Sequence, residues 1–175
     1  MESTVAQPVT APSEDEAQAP QGGDSDDGLR EPQYAVLLAL YSVTLGGFLL
    51  WRRRAKGLPT RISATDLLLV GVATHKGSRL LAKDKVTAPL RRPFAEYEEP
   101  AGPGEVEETP RGSGLRHAIG ELLVCPYCLG QWVATAFACG LLVAPRLTRF
   151  VASILAVVTA SDFLQVVYKA GEEKL

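Results

Sequence analysis

The sequence predicts an all-α integral membrane protein with about three transmembrane helices, one interfacial or packed amphipathic helix and a disordered N-terminal tail. Long uncharged apolar runs recur along the chain, and basic residues follow them closely. The first thirty-one residues are acidic and hold little that a core would bury.

The tail comes first. Residues 1–31 contain eight acids, one base (Arg30) and no aromatic side chain. The rest of the chain contains twelve acids and seventeen bases, so the formal charge of −2 divides into a tail of −7 and a body of +5. A segment of this composition cannot offset its ordering entropy, and residues 1–32 are predicted to be disordered. The basic body suits an anionic lipid bilayer. Its bases flank apolar runs instead of sharing a soluble face with aromatics, which argues against nucleic acid as a partner. The acidic start does not read as a secretory signal, and neither end carries a lipidation signal. Three cysteines do not suggest a disulfide scaffold.

The apolar run from Tyr34 to Trp51 carries no charge and is followed by Arg52, Arg53, Arg54 and Lys56. An interfacial aromatic ahead of a basic cluster is the pattern of a cytoplasmic helix end, so residues 33–51 are predicted to span the bilayer. Within residues 64–82 only Leu67 to Thr74 is cleanly apolar, and His75, Lys76 and Arg79 interrupt it. Such groups are costly at mid-bilayer, so residues 62–99 are predicted as an amphipathic helix, interfacial or packed, plus a basic interfacial segment. Ser63 or Thr65 can cap that helix, with Asp66 in its first turn, and Pro89 and Pro93 stop helix beyond it. Residues 100–114 are rich in Gly, Pro and Glu and read as a flexible linker.

Residues 115–169 read as a helical hairpin whose two apolar runs meet at the short PRLTR turn, residues 145–149. Gly130, Ala134 and Ala138 recur every fourth residue, as do Ala152, Ala156 and Ala160, which predicts close contact between the two helices. Residues 170–175 are a short tail. If residues 64–82 do not span, fifteen bases fall on one side of the membrane and three on the other. That asymmetry favours three spans over four, with the N-terminus outside and the C-terminus in the cytoplasm.

Cys125 and Cys128, in the sequence CPYC, are the one constellation with chemical content. Pro126 suits a first helical position, which puts Cys125 at a helix N-cap where the dipole favours a thiolate. Three readings stay open: a thiol–disulfide pair, half of a metal site, or small packing residues. Zinc requires four ligands, so a complete site needs His75, His117 or a second subunit. Cys139 is about 16 Å further along the helix and reads as packing. Asp162 is an acid inside an apolar run, and it needs a partner such as Lys76, Arg79 or Gln131. Arg79 and Asp84 join it as candidate buried polar groups.

Residues 61–168 resemble the bacterial membrane family catalogued as domain of unknown function 1360, some members of which are labelled sporulation protein. The motif elements fall on Arg79, Leu80, Asp84, Lys85, Pro93, Phe94, Cys125, Pro126, Cys128, Gly130 and Trp132. The resemblance implies a membrane location and no mechanism. The chain has no Ser–His–Asp set, no paired carboxylates on one helix face and no phosphate-cradling glycine loop, so an enzyme is not the expectation. Two function classes remain. One is a non-enzymatic scaffold that binds a membrane-protein or homo-oligomeric partner. The alternative is a thiol-redox or metal-binding protein using CPYC.

Overall fold

A computed structural model describes residues 31–55, 57 and 61–172. The tail expected over residues 1–32 lies outside the described residues, except that 31 and 32 open the first helix. Four long helices form a bundle: α1 (Glu31–Ala55), α2 (Ala64–Lys83), α5 (Pro126–Val143) and α6 (Pro145–Glu172). A head lies between α2 and α5. It holds a 3-10 turn (Lys85–Thr87), α3 (Ala88–Arg91), β1 (Ala95–Gly102), β2 (Glu105–Pro110) and α4 (Leu115–Val124).

Local chemistry sets the boundaries. Arg52, Arg53 and Arg54 occupy the last turn of α1, and Lys83 that of α2, where cations meet the negative end of the helix dipole. Asp66 stands in the first turn of α2, where the opposite sign is favoured. Pro126 and Pro145 each open a helix, a position at which proline loses no hydrogen bond. Helices α1, α5 and α6 are long and apolar enough to cross a membrane, by length and composition.

Side-chain pairs fix the direction of each helix. Tyr34 near the start of α1 donates to Glu121 on α4, and Tyr41 meets Gln131 and Thr135 on α5, so α1 and α5 run the same way. Asp66 pairs with Arg149 and Lys76 with Asp162, so α2 runs parallel to α6. Gly77 on α2 faces Val133 and Phe137 of α5 and Leu155 of α6 at once, so α2 lies in the groove between them. The chain thus runs down α1, up α2, down α5 and up α6, with the head above the end where α2 stops.

This arrangement revises the predicted hairpin contact. Helix α2 buries Asp66, Ala73, Gly77, Ser78 and Ala82 and α6 buries Thr148, Ala152 and Thr159, so of the two predicted stripes only Ala152 is buried, while Ala138 and Ala160 are exposed. Helix α2 occupies the groove that α5 and α6 were expected to close between themselves. Those two approach each other closely near their turn, where a Cβ on Gly140 would lie 2.7 Å from Thr148 Oγ1.

The chain is not all-α. Residues 95–110 form an antiparallel hairpin, with Ala95 opposite Pro110, Tyr97 opposite Glu108 and Gly102 opposite Glu105. Part of it lies where a flexible linker was expected over 100–114. The turn uses Gly104 at φ +82°, a conformation that costs glycine nothing. Helix α4 seals the base of the hairpin, because Gly120 presents no Cβ to the Phe94 carbonyl and Pro110.

Candidate functional site

The head is tied to α2 by ion pairs. Arg79 reaches Glu105 with two hydrogen bonds, Nε to Oε1 at 2.8 Å and Nη2 to Oε2 at 2.7 Å. Lys83 Nζ meets Glu107 Oε1 at 2.5 Å. Arg91 is 1% exposed and donates to Glu108, to Thr87 Oγ1 and to the carbonyls of Leu81 and Asp84. A buried guanidinium requires this many acceptors, because an unpaired one would be expelled or would unfold its surroundings. Sequence reasoning missed Arg91. No local pattern marked it, because the acid that it pairs with, Glu108, points inward from a strand that the sequence does not reveal.

Beneath the hairpin turn, between α2 and α6, lies a cavity of about 490 Å³ lined by His75, Lys76, Arg79, Asp84, Glu105 and Asp162, among others. Four residues singled out from sequence therefore meet in one place: His75, Arg79, Asp84 and Asp162. Lys76 Nζ stands 2.9 Å from Asp162 Oδ2, which makes Lys76 the partner among the three considered. Burial differs among the three candidate buried polar groups. The side chains of Asp162 and Arg79 are each 48% exposed, and Asp84 is half-buried. The physical reason is that they line an open cavity, while the deep position went to Arg91. Burial holds the Asp84 carboxyl above the usual aspartate range; Glu105 and Asp162 add to this, against Lys76 and Arg91. Asp84 has no ion pair among the described residues.

The Cys pair lies elsewhere, at the joint of α4 and α5. Cys125 is the N-cap of α5, and its Sγ accepts the Cys128 backbone N–H at 3.3 Å. Burial pushes the Cys125 thiol up, but hydrogen bonds from Cys128 and Tyr127 outweigh it and leave the thiol below its ordinary range. Cys128 is exposed. His117 faces Glu121 on its own helix, with Nε2 at 3.4 Å from Oε1, and His75 belongs to the cavity. No group of three or more His, Cys, Asp or Glu side chains suited to a metal ion forms among the described residues.

The rest of the motif serves packing. Trp132 stands edge-on to Tyr41 of α1, with ring centroids 5.2 Å apart. Gly130 leaves room for Ser78 of α2 at 3.9 Å. One turn of α5 thus receives both α1 and α2.

Residues 69–168 match the family model described as "Protein of unknown function (DUF1360)". That stretch holds most of α2, the whole head, α5 and most of α6. The chain belongs to this family. Among the relatives of this DUF1360 chain is "Sporulation protein YjcA" of Bacillus subtilis (strain 168), 32% identical over 107 residues, which is 59% of this chain and 91% of the relative. Another is "UPF0713 protein YngL" of the same organism, 28% identical over 112 residues, 63% of this chain and 84% of the relative. No solved structure matches this DUF1360 member. The matched region of this DUF1360 chain includes the Cys pair and the cavity's lining except Lys169, whereas α1 and the acidic tail fall outside it.

Proposed function

We propose that this chain is a non-enzymatic integral membrane protein that crosses the bilayer four times and holds its head at one face as a docking platform. The carrying observation is the set of ion pairs that hold β2, from Arg79 and Lys83 on α2 and from Arg91 on α3. They fix a hairpin whose other strand, β1, presents Glu96, Tyr97, Glu98 and Glu99 outward. An exposed strand edge is a ready template for a partner's backbone. An acidic edge of this kind favours a basic partner segment.

This reading has four crossings, where counting bases favoured three and three helices are long and apolar enough to cross by length and composition. Helices α1 and α5 run the same way, so two crossings in that direction require a return between them. Helix α2, at about 30 Å, is long enough for it. Its charges are matched across the groove, Asp66 by Arg149 and Lys76 by Asp162, which lowers the cost of holding them at membrane depth. Both termini then share a side with the head. The segments at the other end, residues 52–63 and 145–149, contain seven bases against nine on the head side, so counting bases does not choose between the two faces in this reading. The N-terminus stays outside in this reading, and the C-terminus joins it there.

The thiol reading keeps one specific support, the Cys125 N-cap beside an exposed Cys128. Complementation of a deletion strain separates the two. A docking platform predicts that Glu96→Lys with Glu99→Lys abolishes complementation while the variant still inserts. Cys125→Ser with Cys128→Ser should then complement as the parent does. The reverse pattern transfers the function to the thiols.

A further inference from the structure

The end of the bundle opposite the head contains a second cavity, of about 600 Å³, which the docking reading does not use. Its polar lining holds Arg52, Arg61, Asp66 and Arg149. Arg149 is taken by Asp66 through two hydrogen bonds of 2.8 Å each. Arg52 and Arg61 have no acidic partner among the described residues. The Nε of Arg52 is closed off from solvent and has no acceptor among the described residues. Ser63, at the rim, starts α2 without capping it through its side chain, so the first backbone N–H groups also lack a side-chain acceptor. The lining also holds aliphatic side chains, Leu67 and Val70 from α2 and Leu141 and Leu142 from α5.

Unmatched positive charge and aliphatic side chains lining one cavity suit an anion joined to a hydrocarbon chain. A free inorganic anion would leave the aliphatic side chains unused, and a neutral lipid would leave both guanidinium groups unmatched. Helix α1 makes its contacts mainly with α4 and α5. We propose that this cavity binds the headgroup of an anionic phospholipid. Arg52 and Arg61 hold the phosphate, and the upper acyl methylenes lie along Leu67, Val70, Leu141 and Leu142. The assignment rests on the membrane reading above.

The test uses the full chain in nanodiscs of mixed phosphatidylglycerol and phosphatidylcholine, released into detergent and examined by native mass spectrometry. Phosphatidylglycerol should be retained about tenfold over phosphatidylcholine. Arg52→Gln with Arg61→Gln should lower that retention by about tenfold at an unchanged melting temperature. Arg53→Gln with Arg54→Gln removes the same charge outside the cavity and should change retention by less than about twofold. Equal losses in both double variants mean diffuse attraction to a basic surface and overturn the site. Equal retention of the two lipids, or full displacement by glycerol phosphate, also overturns it. Carbonate extraction separates the layers of the argument. A chain that leaves with the aqueous fraction sinks the membrane reading itself, whereas a chain that stays in the pellet without lipid preference sinks this site alone.

Discussion

Arg91, in the short helix after α2, is bonded to Glu108 on the second strand of the hairpin, and both side chains are nearly sealed from solvent. The pair joins two segments that would otherwise be independent surface pieces. Removing one partner leaves the other charge buried and unmatched, which costs about 3–5 kcal/mol. Glu108→Gln should therefore lower the thermal transition in detergent sharply, and Arg91→Met should do the same. Replacing both with Met should recover most of the loss, because a well-packed apolar pair substitutes for a buried ion pair at little cost. Melting curves of the three variants check this, and additive losses in the double variant would contradict it.

Gly120 and Gly77 both sit at close approaches, with different tolerance. A Cβ on Gly120 would lie 2.5 Å from the Phe94 carbonyl oxygen, which is backbone and cannot swing away. A Cβ on Gly77 would lie 3.3 Å from a Val133 methyl group, on a side chain that can adjust. Gly120→Ala should destabilise by about 1–3 kcal/mol and detach α4 from the hairpin, while Gly77→Ala should cost less. Limited proteolysis at the hairpin reads the first effect, and comparable protection of both variants would refute the ranking.

Asp84 supplies a pH signature. Its folded pKa is raised, chiefly by burial, so its charged form opposes folding. That cost is absent below the ordinary aspartate range and develops as pH rises through it towards the raised folded value. Asp84→Asn removes the cost. The variant's melting temperature should match the parent's near pH 4 and exceed it increasingly as pH approaches neutral. A constant difference across that range would show that the Asp84 charge has no part in stability.

Much of the bundle was legible from sequence because its signals are local. Uncharged runs gave α1, α5 and α6, Pro126 gave the N-cap role of Cys125, and an acid in an apolar run asked for a partner among Lys76, Arg79 and Gln131, of which Lys76 is the one. The misreadings share a cause, which is that the compensating group is remote in sequence. His75, Lys76 and Arg79 made α2 look unfit for a full span and left it either interfacial or packed; it is packed between α5 and α6, with Lys76 matched by Asp162 and Arg79 by Glu105. The hairpin was invisible for the same reason. Strand β1 is exposed along nearly all its length and shows no apolar alternation, and in β2 an inward position carries Glu108, acceptable only because Arg91 faces it. Pattern reading counts charges as outward, and here paired charges point inward.

Four crossings are tested most directly by the side on which single cysteines react. The measurement places a cysteine in turn at Ser25, Gly57 or Ser113 of a chain whose native cysteines are Ser, and applies an impermeant thiol reagent to intact cells. Ser25 and Ser113 should both label from outside, and Gly57 should label only after the cells are opened. Labelling of Ser25 and Ser113 from opposite sides would mean that α2 does not cross, and would contradict the parallel course of α1 and α5 on which the proposed topology depends.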